Sequence, residues 1–104
     1  MKIFTPGHLY ELENFEAKNK PGQTIQFIEK EPASPGSSKL VTIADGTTNE
    51  EVLRVLIDRL RFLGEKLPSR ENSLAATRLE EALLWLEKRT RDRQARGVEG
   101  TRNI

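Results

Sequence analysis

Leu53, Leu56, Leu60, Leu63 and Leu67 recur at spacings of 3, 4, 3 and 4, and the run stops at Pro68. With about 3.6 residues per turn, this alternation lines one stripe of an α-helix that packs lengthwise on a partner. Val52, Val55 and Ile57 widen the stripe. Its start is marked by Thr48-Asn49-Glu50-Glu51, a capping box in which the threonine hydroxyl and the glutamate three residues on satisfy orphan amides. Its end is fixed by Pro68, since an interior proline removes a hydrogen bond and crowds the preceding turn. A second helix is predicted from Ser69 or Arg70, with a stripe through Ala75, Leu79, Ala82 and Leu86 broadened by Ala76, Leu83 and Trp85. Trp85 is accordingly assigned to the core. The short connection forces the two helices antiparallel.

The first half is predicted to be β structure. Leu9–Phe15, Gln23–Lys30 and Leu40–Ile43 are rich in β-branched and aromatic residues, and three antiparallel strands are the simplest arrangement. Lys20-Pro21-Gly22-Gln23 supplies the first connection, and residues 31–38, with two prolines, a glycine and three serines, are expected to be the least ordered internal segment. The fold class is therefore α+β, in one domain over 1–104: a small sheet over 1–46, the helical hairpin over 47–96 and a tail over 97–104. The leucine seam alone does not offset the entropy of ordering the hairpin, so it needs the sheet, a second copy of itself or both, and the exposed half of the first helix's stripe is expected to face another protomer.

Charge narrows the function. A formal net charge of +1 gives no blanket attraction to DNA or to an anionic membrane. Residues 1–50 nevertheless carry five lysines and no arginine, whereas residues 51–104 carry ten arginines and two lysines. No segment approaches the roughly 18 apolar residues that span a bilayer, and no signal sequence is recognisable, so the expected setting is cytoplasmic. The chain has no cysteine, which excludes thiol catalysis, disulfides and thiolate metal sites. His8 is the single histidine and no second base or nucleophile is spaced to serve it; the adjacent pairs Glu50-Glu51 and Glu80-Glu81 point apart on a helix. Neither a catalytic residue nor a metal or cofactor site is expected.

The arginines offer the one chemistry left. Arg89, Arg91, Arg93 and Arg96 fall within eight residues, and Arg89, Arg93 and Arg96 share a helical face. Guanidinium forks match phosphate oxygens bidentately. Positive side chains in a last turn also simply complement the helix dipole, so both readings stand on chemistry alone. Asn72 falls on the inward stripe of the second helix, as a cap or as a ligand contact, and Phe62 lies beside the leucine repeat, as core padding or as an exposed ring. The glycines of Gly97-Val98-Glu99-Gly100-Thr101 allow close approach of backbone amides to an anion, or an ordinary helix stop.

Asp45-Gly46-Thr47-Thr48-Asn49-Glu50-Glu51-Val52-Leu53, the stretch from Asp58-Arg59-Leu60 to Arg70-Glu71-Asn72-Ser73-Leu74-Ala75, Leu79–Thr90 and Ala95–Thr101 resemble the phage Thoeris anti-defence sponge family. Its helical hairpin is related to that of the sponges that defeat cyclic-oligonucleotide (CBASS) immunity. The resemblance covers residues 45–101 closely and the β half in outline. It implies a non-enzymatic protein that captures a cyclic ADP-ribose isomer made by a TIR-domain immune enzyme, in the host cytoplasm, as a homodimer or higher oligomer such as a hexamer. Some similar proteins also hold cyclic oligonucleotides at separate sites. By resemblance, Phe62 would cover a base, Asn72 would hydrogen-bond the base or a ribose, and Arg89 and Arg96 would grip the diphosphate, with Arg70 and Arg91 in the same set. A small nucleic-acid-binding protein and a pure protein-interaction hairpin are the alternatives; near-neutral charge counts against the first and the arginine segregation against the second.

Overall fold

The computed structural model describes residues 1–101, so residues 102–104 of the expected tail lie outside the described residues. The chain divides into two compact units at Thr48/Asn49, one of strands and one of helices, as an α+β fold with a helical hairpin requires.

The first unit contains more strands than expected. β1 (Lys2–Thr5), β2 (Leu9–Glu11) and β3 (Thr24–Gln26) form an antiparallel sheet in the order β1-β2-β3, and β4 (Glu29–Pro32) pairs with β5 (Leu40–Ala44) in a separate two-stranded sheet. Lys2–Thr5, not expected as a strand, pairs with β2 through a tight connection in which Gly7 takes φ +79° and the His8 amide donates to the Thr5 carbonyl at 2.9 Å. The expected strand over 23–30 is broken after Gln26. There the Thr47 amide donates to the Gln26 carbonyl (2.8 Å) and the Ile28 amide donates to the Thr47 carbonyl (2.9 Å), so a returning segment takes the bonds a continuous strand would have made. Tyr10 and Phe27 meet edge to face, 5.9 Å between ring centres.

The expected strand over 9–15 stops at Glu11 for a similar reason. The Asn14 amide nitrogen lies 3.3 Å from the carbonyl oxygens of Ala17, Lys20 and Pro21, and this local network outcompetes a ladder. The loop then returns so closely that a Cβ on Gly22 would run into the Leu12 carbonyl. Gly22→Ala is therefore expected to destabilise the first unit by about 1–3 kcal/mol, the cost of an overpacked site. Thermal melts of the two proteins read this directly. Residues 33–39 form a hairpin connection tied by Ala33 donating to Lys39 (2.8 Å) and Ser37 donating to Ser34 (3.0 Å).

The second unit is the hairpin of α1 (Asn49–Lys66) and α2 (Arg70–Ala95). Ser69 caps α2, its hydroxyl accepting from the Asn72 amide at 3.2 Å, and the Leu67 amide closes α1 onto the Leu63 carbonyl at 2.9 Å. The seam keeps Leu53, Leu60, Leu79 and Leu86 of the expected stripes but turns toward the broadening positions Ile57, Ala76 and Leu83. On α2 the inward positions are Asn72, Ala76, Leu79, Leu83, Leu86, Thr90 and Arg93; Ala76 is 1% exposed, whereas Ala75 and Ala82 are open. On α1 the seam runs through Leu53, Ile57, Leu60 and Gly64, leaving Leu56 and Leu67 exposed.

Trp85 corrects the core assignment: it is 65% exposed. Two residues past Leu83 and one before Leu86, it points about 160° and 100° away from these two seam positions at about 100° per residue. The small Ala76, buried between the helices, marks the phase on which α1 and α2 approach, which fixes the others. Ion pairs then mark one side of the hairpin, Arg61 to Glu80 (Nε–Oε1 3.1 Å) and Arg54 to Glu87 (4.0 Å). The other side carries the apolar flank of α1, Val52, Leu56, Leu63 and Leu67, beside Ala75, Ala82 and Arg89 of α2.

Candidate functional site

The arginine-rich end of α2 is built by its stop signal. Arg96 is the C-cap and Gly97, at φ +71°, follows it; the Gly97 amide donates to the Gln94 carbonyl (3.1 Å) and the Val98 amide to the Arg93 carbonyl (3.0 Å). This is a Schellman closure, which needs the left-handed conformation that glycine adopts without a Cβ penalty. The chain then turns again, with Thr101 donating to the Val98 carbonyl from both its amide (3.1 Å) and its hydroxyl (2.6 Å).

The four clustered arginines have different fates. Arg93, which shares the expected phosphate-binding face, is turned into the protein: its side chain is 12% exposed, Nη2 donates to the carbonyls of Val98 (3.0 Å) and Thr101 (2.7 Å), and Nε lies 3.3 Å from Glu99. Arg91 is exposed and leans toward Glu87 at 3.9 Å. Arg96 is exposed at the cap. Arg89 is exposed and has no ion-pair partner among the described residues. Beside them Lys88 donates to Asp92 at 2.7 Å; this bond, assisted by the charges of Lys88, Arg91 and Arg96, holds the Asp92 carboxyl below its ordinary value. Its contribution is therefore present above the usual carboxylate range and is lost only as pH falls through that depressed value.

Phe62, Arg70 and Asn72 lie at the opposite, turn end. Phe62 is 55% exposed on the outer face of α1 with the Lys66 ammonium 5.0 Å from its ring centre. Arg70 opens α2 and is exposed. Asn72 is half-buried and lines a recess of about 190 Å³ with Leu60, Arg61, Gly64, Glu65, Pro68 and Ser73. Within one chain the expected site residues thus form two groups. Asn72 and Arg89 are 17 residues apart on one helix, or about 26 Å at 1.5 Å per residue. Phe62, Arg70 and Asn72 share the turn end; Arg89, Arg91 and Arg96 share the tail end.

Other chemistry is sparse. His8 lies in the β1–β2 connection, half-buried, with Nδ1 3.1 Å from the Pro6 carbonyl. Among the described residues no group of three or more histidines or carboxylates is placed to hold a metal ion, and no helix is long and apolar enough to cross a membrane. An open groove of about 440 Å³ on α2 is lined by Glu81, Leu84, Trp85, Lys88 and Arg91. The role of Arg93 went unread in the sequence, although Gly97 four residues beyond it was the available signal: a helix stopped there folds its next carbonyls back toward that position.

Residues 24–91, which include all of α1 and most of α2, match the family model described as the Acb2/Tad1 hairpin domain. The chain belongs to the Acb2/Tad1 hairpin-domain family. A relative named Thoeris anti-defense 1, from Bacillus phage SBSphiJ7, is 51% identical over 59 residues, which is 56% of this chain and 42% of that protein. The chain therefore matches less than half the length of that relative. The family match also places the hairpin-domain region across the break between the two compact units, since it begins at Thr24 in β3.

Proposed function

We propose that this chain is a phage anti-defence sponge that binds a cyclic ADP-ribose isomer and withholds it from its effector without cleaving it, with related cyclic oligonucleotides as further ligands at other positions. The observation that carries the reading is an exposed arginine fork without an ion-pair partner among the described residues, Arg89, at the tail end of a hairpin whose 51% identical relative is named Thoeris anti-defense 1. A sponge needs tight, unreactive binding, so forks and ring faces suit it and a general base does not. Phe62 and Asn72 supply the ring and the amide; Arg89 and Arg96, with Arg70 and Arg91 near them at either end, supply the grip.

Geometry adds a condition. A cyclic dinucleotide-sized ligand does not bridge the roughly 26 Å between Asn72 and Arg89 of one chain. Both ends contact one ligand only if a second copy lies antiparallel, bringing its tail end to the first copy's turn end about a two-fold axis. The apolar flank Val52, Leu56, Leu63 and Leu67 is the surface on which such a homodimer, or a higher homo-oligomer, would close. Closure also desolvates the arginine contacts and strengthens them. The chain is proposed to act as a single domain in the host cytoplasm.

Titration calorimetry with cyclic ADP-ribose isomers, cyclic dinucleotides and linear oligonucleotides tests this. Binding of an isomer in the submicromolar range, insensitive to moderate salt, is expected. No binding to any cyclic nucleotide would sink the proposal, and steep salt dependence with linear DNA or RNA would favour a nucleic-acid-binding hairpin instead.

A further inference from the structure

Arg93 sits between the two proposed phosphate grips, one turn after Arg89 and one turn before Arg96, within about 60° of both around α2. Yet its guanidinium is spent inside the chain, on the carbonyls of Val98 and Thr101 and on the carboxylate of Glu99. Because that side chain lies on the Arg89/Arg96 face, the segment it holds is folded over the same face. We propose that Arg93 is a positioning residue: it pins residues 97–101 as a fixed wall beside the phosphate grip and neutralises Glu99, which would otherwise repel a bound diphosphate. This rests on the sponge reading of Arg89 and Arg96.

The chemistry explains why arginine is needed. Two carbonyls and a carboxylate are met at once by separate N–H groups of one planar fork. A lysine ammonium keeps the charge without that geometry. The glycines at 97 and 100, with φ +71° and +82°, let the backbone curl tightly enough to present both carbonyls to one nitrogen.

The test combines calorimetry with cyclic ADP-ribose isomers and hydrogen exchange of the 97–101 amides in the free, full-length protein. Arg93→Lys, which keeps charge and helix propensity, is expected to fold, to lose protection over 97–101 and to bind about tenfold to a hundredfold more weakly, as misplacement of a site wall does. Arg93→Ala should show the same loss, and adding Glu99→Gln to it should recover part of the affinity by removing the repulsion, without recovering protection. Wild-type affinity in Arg93→Lys, or no gain from Glu99→Gln in the double variant, would overturn the proposal. If the wild-type protein binds none of these nucleotides, the sponge reading falls and the positioning role falls with it, while the exchange data still report separately whether Arg93 holds the turn.

Discussion

Replacing Arg89 with alanine is expected to weaken capture of a cyclic ADP-ribose isomer by about 1.5–3 kcal/mol, roughly tenfold to a hundredfold, the scale of lost charge-assisted hydrogen bonds to phosphate. The melting transition should hardly move, because an exposed side chain without an ion-pair partner among the described residues contributes little to folding. Arg96→Ala should weaken capture on the same scale, and the bonds that close the helix end survive it because they run through the backbone. A large drop in stability for Arg89→Ala would return the residue to a structural role. The two-ended site makes a sharper demand. If Asn72 of one copy and Arg89 of the other meet one ligand, Asn72→Ala and Arg89→Ala proteins, each weak alone, regain strong binding when unfolded and refolded together. In a two-fold dimer about a quarter of the sites would then be intact. Calorimetric stoichiometry of the mixture reads that fraction, and no recovery would place the two residues in separate sites.

The second large effect is on folding. Ala76 is the most enclosed residue of the hairpin, at 1% exposure, in a seam of Leu79, Leu83, Leu86, Leu53, Ile57 and Leu60. Ala76→Asp puts an unpaired carboxylate where α1 and α2 touch. It is expected to destabilise the second unit by about 3–5 kcal/mol, and the loss should appear in denaturant melts followed by helical circular dichroism. Ala75→Asp, one residue away on the open side, should change stability by no more than about 0.5 kcal/mol in the free chain. The pair therefore tests the phase of the seam. Equal losses at 75 and 76 would mean that the helices pack on the leucine repeat as it reads in the sequence.

That repeat shows what was legible and what was not. Periodicity, the stop at Pro68 and the start at Ser69 define two antiparallel helices without any coordinates. The choice between two overlapping stripes is another matter. Leu56, Leu63 and Leu67 form as good a line as Leu53, Ile57, Leu60 and Gly64, and it is the burial of Ala76 between the helices that marks which one faces α2. Leu56, Leu67 and Trp85 then become surface, a consequence invisible to hydrophobicity alone. In the β unit, short strands were hidden by side-chain bonds of Asn14 and by the crossing of Thr47 against Gln26 and Ile28, neither of which has a periodic signal. For the site, clustering showed where the arginines concentrate, but not that Arg93 would be taken up by the backbone it stops.

A sponge must hold its ligand intact. The direct measurement mixes the full-length protein in slight excess with a cyclic ADP-ribose isomer, removes the protein by ultrafiltration, heats the retained fraction and identifies the released nucleotide by mass. Depletion of the filtrate and return of the unaltered cyclic nucleotide on heating is the predicted result. Ligand that stays in the filtrate, or returns with its ring opened, would contradict it.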